Sequence, residues 1–198
     1  MNYNEALQYL EQGEISACKD YFRDNGYKLE YGYTLMLSDN HDEAEKIFNM
    51  ISSLRADWAL KLIPIMQGYL DNIPTYFQIR NFLEIDINLL FKASQKNYVE
   101  YILGAADSFQ SVNTESYKFL GRVLLKNGYM NASKIFLDKS SDVCWRDPEL
   151  QYLYVEYYLM NNDIANACKA VDNCLRVSPE YYPAISMQKK LKTIDRQT

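Results

Sequence analysis

Glycine and proline are scarce in this 198-residue chain, with seven of one and five of the other. A β-rich fold needs many tight turns and normally carries more of both, so an all-β architecture is excluded. Histidine occurs once, at His41. Any Ser-His-Asp or Cys-His catalytic set would have to run through it, yet it sits in "SDNHDEAE", which reads as a solvated turn before a helix. Phosphate-cradling glycine loops are missing too, because the glycines of "LGRVLLKNG" stand too far apart. The four cysteines, Cys18, Cys144, Cys168 and Cys174, include no C-x-x-C pair. A structural zinc site needs ligands at short paired spacings, so the thiols read as small packing residues in a reducing compartment, the cytoplasm. No apolar run reaches bilayer-spanning length, and "MNYNEALQYLEQGE" lacks the apolar core of a signal peptide. No catalytic residue, metal or cofactor is expected, and the chain reads as a non-enzyme without a membrane partner.

Positive charge is also in short supply. The net charge is −5, and residues 1–99 hold 14 acids against 9 bases while residues 100–198 hold 12 of each. Neither half supplies the concentrated basic face that nucleic-acid phosphates require. Acids such as Asp42, Glu43 and Glu45 fall at the start of an expected helix, where they suit its macrodipole.

What the chain does contain is apolar surface at helical spacing. Hydrophobic residues make up 48%, enough for a sizeable core. In "EALQYLEQGEISACKDYF", Ala6, Leu7, Leu10, Ile15, Cys18, Tyr21 and Phe22 recur every three or four residues. Similar segments are separated by brief Asn, Asp and Gly breaks that suit helix ends. Asp147-Pro148 supplies a cap and a first-turn proline, and Asp86 and Thr114 read as further caps. The pattern predicts helices near 3–12, 15–24, 27–38, 41–54, 57–70, 74–84, 87–95, 98–109, 114–126, 130–139, 148–160, 164–176 and 180–194. Pro64 either kinks the fifth or marks its late start.

A phrase recurs along these helices. "YLMNNDIANACKAVDNCLRVSPEYYPA" has Ala167, Val171, Cys174-Leu175 and Pro179, preceded by Tyr154, Val155 and Tyr158. "YGYTLMLSDNHDEAEKIFNMI" has Gly32 at a close-packing point, then Ala44, Phe48 and Ile51. "FLGRVLLKNGYMNASKIFL" has Gly121, Ala132 and Phe136, one residue short between its helices. "YLEQGEISACKDYF" keeps Gly13, Cys18 and Phe22. The phrase resembles the tetratricopeptide repeat, whose period is 34 residues. The resemblance is good over 27–56, 114–139 and 148–184 and poor over 57–110. It implies an all-α right-handed solenoid of about six hairpins and a C-terminal capping helix. Residues 1–198 then form a single repeat domain, with repeats near 3–24, 27–54, 57–84, 87–109, 114–139 and 148–176 and a cap at 180–194. In that cap Tyr181, Tyr182, Ile185 and Leu191 cover the last repeat, while Lys189, Lys190 and Lys192 face water.

The resemblance also implies where a partner binds. In this family the first helix of each hairpin lines the concave face. By position that face takes Tyr33 and Met36, then Lys118, Arg122 and Lys126, then Glu149, Tyr152 and Glu156. The three bases are spaced four apart and form a stripe on one helical face, beside an acidic row. Reversing them to Glu is expected to weaken binding without unfolding the chain. The Lys/Asn clamp with which some relatives hold a C-terminal carboxylate is absent, since Leu29, Tyr33, Ile63 and Gln67 occupy its positions. The expected function is a scaffold or adaptor that holds a peptide or helix of a protein partner. The alternative is a self-associating, homodimeric subunit of a larger assembly, paired through Tyr3, Leu7 and Leu10.

Overall fold

The structure is a computed structural model that describes residues 1–69 and 74–194. Every regular element among the described residues is helical, and the residues gather into two compact units, 1–113 and 114–198.

Unit 1 begins with two hairpins, α1 (Tyr3–Gln12) with α2 (Ile15–Asp24) and α3 (Lys28–Leu37) with α4 (His41–Asn49). Asn2 and Glu5 form a reciprocal capping box on α1; this satisfies two amides that helix geometry leaves without partners. α5 (Leu54–Met66) is apolar nearly all round, so it is buried rather than amphipathic, with Leu62, Ile63, Ile65 and Met66 fully enclosed. Pro64 lies in its last turn, where the helix is ending in any case. The expected helix 57–70 thus starts earlier, and its last position, Leu70, lies outside the described residues.

The next stretch departs from the expected pair of helices at 74–84 and 87–95. α6 (Tyr76–Asn81), a π-helical segment (Phe82–Asp86) and α7 (Ile87–Lys92) follow one another with right-handed helical backbone throughout. Asp86 therefore caps nothing. It is 3% exposed, and its Oδ2 accepts a 2.6 Å hydrogen bond from Trp58 Nε1. The wide turn brings Phe82 against Trp58 and Phe109, with ring centroids 5.5 and 5.4 Å apart. α8 (Lys96–Gly104) and α9 (Ala106–Val112) replace the single helix expected at 98–109, with the break at Ala105. α7 packs on α8 and also reaches back to α1. There Gly13, at φ +78°, lies so close to Lys92 that a Cβ would sit 2.3 Å from its carbonyl carbon.

Unit 2 stacks serially: α10 (Ser116–Lys126) on α11 (Met130–Cys144), α11 on α12 (Pro148–Met160), α12 on α13 (Ile164–Val177), and α13 on α14 (Tyr182–Ile194). α10 starts two residues after Thr114, the expected cap, and α11 runs five residues past its expected end. α14 covers the last hairpin with Ala184 and Leu191, while Lys189, Lys190 and Lys192 are exposed as expected. Tyr182 does not join that cover, being 77% exposed; Ala184 packs in its place.

One packing rule recurs in four hairpins. A residue on the first helix is followed twelve and sixteen positions later by a small and then a larger residue, all enclosed: Ala6, Cys18, Phe22; Gly32, Ala44, Phe48; Gly121, Ser133, Leu137; Val155, Ala167, Val171. The two helices cross there, and close approach demands small side chains. A Cβ on Gly32 would meet the Phe48 ring at 2.5 Å, and one on Gly121 would meet Leu137 at 2.7 Å. In the third set the expected small and large residues, Ala132 and Phe136, give way to their neighbours. Ser133 is buried and donates a 2.7 Å hydrogen bond to the Gly121 carbonyl, so the apparently missing residue is a shift of register by one.

Candidate functional site

The residues expected on one concave face divide between the two units. Tyr33 and Met36 belong to α3 of unit 1 and are 3% and 1% exposed, so both sit in its core. The other six meet in unit 2. α10 presents Lys118 and Arg122 one turn apart on the same side. α12 opens with Asp147, Pro148 and Glu149, placing two carboxylates at a helix N-terminus, where the dipole favours negative charge. Asp147 divides its oxygens between two tasks. Oδ1 accepts from the Glu149 and Leu150 amides at 2.8 and 3.3 Å and caps α12. Oδ2 takes Lys118 Nζ at 2.5 Å.

An ammonium has three protons to donate, and Lys118 finds three acceptors: Asp147, Glu115 Oε1 at 2.5 Å and Glu149 Oε2 at 3.0 Å. Glu149 Oε1 in turn receives Arg122 Nη2 at 2.6 Å. Lys118 is only 3% exposed. Burial by itself pulls its pKa down, but hydrogen bonds to the three carboxylates outweigh that and hold it above the usual lysine range. The expected basic stripe is therefore not an open cationic surface. Lys118 is an internal counter-ion, and of the three bases only Lys126 is exposed.

Above this cluster lies a cleft of about 310 Å³ lined by Arg122, Lys126, Glu149, Tyr152, Glu156, Tyr181 and Pro183. Within its lining the Tyr152 and Tyr181 rings pack against each other, their centroids 5.9 Å apart. Burial raises the Glu156 pKa, opposed by Arg122 and Lys126. Burial also raises those of Tyr152 and Tyr181, helped by Glu156 at the first and Glu149 at the second. Tyr154 and Tyr158 lie on another side of α12 and, like Tyr152 and Tyr181, pack on the hairpin core, and Tyr154 Oη donates to Asp138 Oδ1 at 2.9 Å. Sequence reasoning missed Tyr181 as part of the cleft and read it only as cap. Its signal was the short link 178–181 between α13 and α14, which sets Tyr181 against Tyr152 of α12.

The residues expected to pair two copies are largely committed within unit 1. Leu10 is buried, and Tyr3 Oη donates to Glu30 Oε1 at 2.9 Å while its ring packs on Tyr27. Leu7 and Leu10 line a cleft together with Tyr33. His41, expected to be solvated, is 8% exposed; its Nδ1 lies 3.1 Å from Gln67 Nε2 and its ring lies against Tyr98. Cys18 and Cys174 are buried, Cys168 is half-buried, Cys144 is exposed, and all four are free thiols. No group of three or more His, Cys, Asp and Glu side chains suited to a metal ion occurs among the described residues. No helix among them is long and apolar enough to cross a membrane.

No family model matches the chain, and no curated protein matches it.

Proposed function

We propose that the protein is a non-enzymatic interaction module of tetratricopeptide-like hairpins that holds an extended segment of a partner protein in the unit 2 cleft. The observation that carries this reading is the cleft itself. A contacting pair of tyrosine rings, Lys126 and Glu156 line it, and the ion cluster to which its Arg122 and Glu149 belong ties α10 to the start of α12. Tyrosine offers a large contact area at low entropic cost, as binding surfaces favour. Within unit 2 the hairpin spacing supports the repeat assignment: Val155 follows Gly121 by 34 positions, against 26 between Ala6 and Gly32 in unit 1, and 34 is the period of that repeat. Lys118, Arg122 and Lys126 set against Glu115, Asp147, Glu149 and Glu156 leave the site one negative charge in excess. The segment it suits carries both signs with a basic residue toward Glu156. The four free thiols fit a reducing compartment, and the reading puts the protein in the cytoplasm.

Affinity capture from the native cell with the wild-type chain and with Tyr152→Ala/Glu156→Lys tests this. Proteins retained by the first and lost from the second are then purified and their affinities measured directly. The expected loss is about tenfold or more. Equal affinity in both chains, with both folded, overturns the cleft assignment.

A further inference from the structure

A groove of about 350 Å³ lies on another side of α12 from the tyrosine cleft, and α11, α12 and α13 all contribute to its lining. Trp145, just past the end of α11, lines both this groove and an adjoining cleft that holds Arg146 and Arg176. The junction is built from buried parts. Gln151, another lining residue, is 3% exposed, and its Nε2 donates to the Trp145 carbonyl at 2.9 Å.

Charge here is one-sided. Lys134 is matched by Asp138 at 2.6 Å, and that carboxylate also accepts from Tyr154. Asp138 is the one acid that lines either space among the described residues. Lys169 donates to the Asn166 amide oxygen at 3.4 Å. Arg176 donates to the Asn173 amide oxygen at 2.7 Å and lies over the Trp145 ring, 5.5 Å from its centroid. Neither these two bases nor Arg146 makes an ion pair among the described residues. Three exposed cations are thus left without a carboxylate, in a chain whose net charge is −5.

Their spacing suits a short peptide. Lys169 and Arg176 stand about 10 Å apart along α13, a span that three or four extended residues cover at about 3.3 Å each. Guanidinium groups pair well with carboxylates. Because Asn173 Oδ1 is taken by Arg176, its amide nitrogen is left to donate to a peptide carbonyl. A nucleic-acid strand fits less well. Single-strand binding uses a row of open rings, whereas Tyr154 and Tyr158 are half-buried and stacked on each other. The strand would also carry its phosphates past the groove, over an acidic chain.

We propose that this groove docks a short acidic segment of a partner protein in extended form, its carboxylates on Arg146, Lys169 and Arg176 beside Trp145. Fluorescein-labelled hexaglutamate is titrated and its anisotropy followed, alongside hexalysine and a six-nucleotide oligothymidylate with the same label. A saturable rise is expected with hexaglutamate, and binding about tenfold weaker or worse with the other two. Arg146→Glu/Arg176→Glu weakens hexaglutamate about tenfold or more. Lys189→Glu/Lys190→Glu, the same change of net charge at exposed positions on the cap, leaves it within about twofold. Equal weakening by the two double variants means attraction to net charge alone and overturns the proposal. So does a response that never saturates, or oligothymidylate binding as tightly as hexaglutamate. A loss caused by Lys126→Glu, with the arginine variant unaffected, moves the peptide to the tyrosine cleft and overturns it too.

Discussion

Lys118 Nζ lies 2.5 Å from Asp147 Oδ2, so a lysine in the first turn of α10 is bound to the residue that caps α12. Removing the ammonium leaves Glu115, Asp147 and Glu149 crowded together with less counter-charge. Lys118→Met is expected to destabilise the protein by about 2–4 kcal/mol, below the range for a fully buried pair because the carboxylates retain some water. Urea unfolding measures it. Lys126→Met, at an exposed position, is expected to change stability by no more than about 0.5 kcal/mol. Reversing all three bases to Glu is therefore expected to unfold unit 2, in place of the fold-neutral loss of binding that their spacing alone implies.

Gly32 and Phe48 make a second coupled pair. Gly32→Ala gains about 1 kcal/mol of helix propensity, but its Cβ would meet the Phe48 ring at 2.5 Å, and overpacking of this kind costs about 1–3 kcal/mol. A net loss of up to about 2 kcal/mol is expected in thermal unfolding. Combining it with Phe48→Leu should cost less than the sum of the two single changes. Strict additivity would show that the ring does not meet the new methyl.

The register of the third packing set is testable at neighbouring positions. Ser133 is fully enclosed, whereas Ala132 is half-buried. Ser133→Leu is expected to destabilise by about 2 kcal/mol or more, and Ala132→Leu by far less. The opposite order, read from the same urea midpoints, would restore the unshifted register.

Asp86 gives unit 1 a pH dependence of known sign. Burial pushes its pKa up to about 6, against the pull of the Trp58 hydrogen bond and Arg55. A folded-state carboxyl that holds its proton more tightly than the unfolded chain loses stability as pH rises. The loss runs from about pH 4 to about pH 6 and totals about 3 kcal/mol. Asp86→Asn keeps an acceptor for Trp58 and should abolish this slope, so it is more stable than the wild type at pH 7.5 and no better near pH 4. Unfolding midpoints across that range, compared between the two chains, decide it.

Local size patterns made much of the helical framework legible. Gly32, Ala44 and Phe48 stand out because a small residue facing a large one at fixed spacing has few other uses in a helix. Asp147-Pro148 announced a helix start because both residues favour that place for independent reasons. Ser133 was hidden because alanine and serine are nearly equal in size, and only the hydrogen bond to Gly121 separates them. Asp86 misled because an acid before an apolar run looks like a cap; nothing nearby in the chain shows that Trp58, 28 positions away, takes its carboxylate. Lys118 misled for a similar reason. Charges four apart read as a solvated row unless the carboxylates that meet them, brought by α12 from about 30 positions on, are already known.

The π segment at Phe82–Asp86 holds one more residue than an ordinary helix needs over the same rise. Every α-helical residue advances about 100° around the axis, so excising one position would swing α7 by nearly a third of a revolution. Lys92 would then leave its berth against Gly13, and Ile85 and Leu89 would quit the cleft they line with Leu7 and Leu10 of α1. Unit 1 has been assembled around an extra amino acid that cannot now be withdrawn without reassigning which side of that helix faces its neighbours.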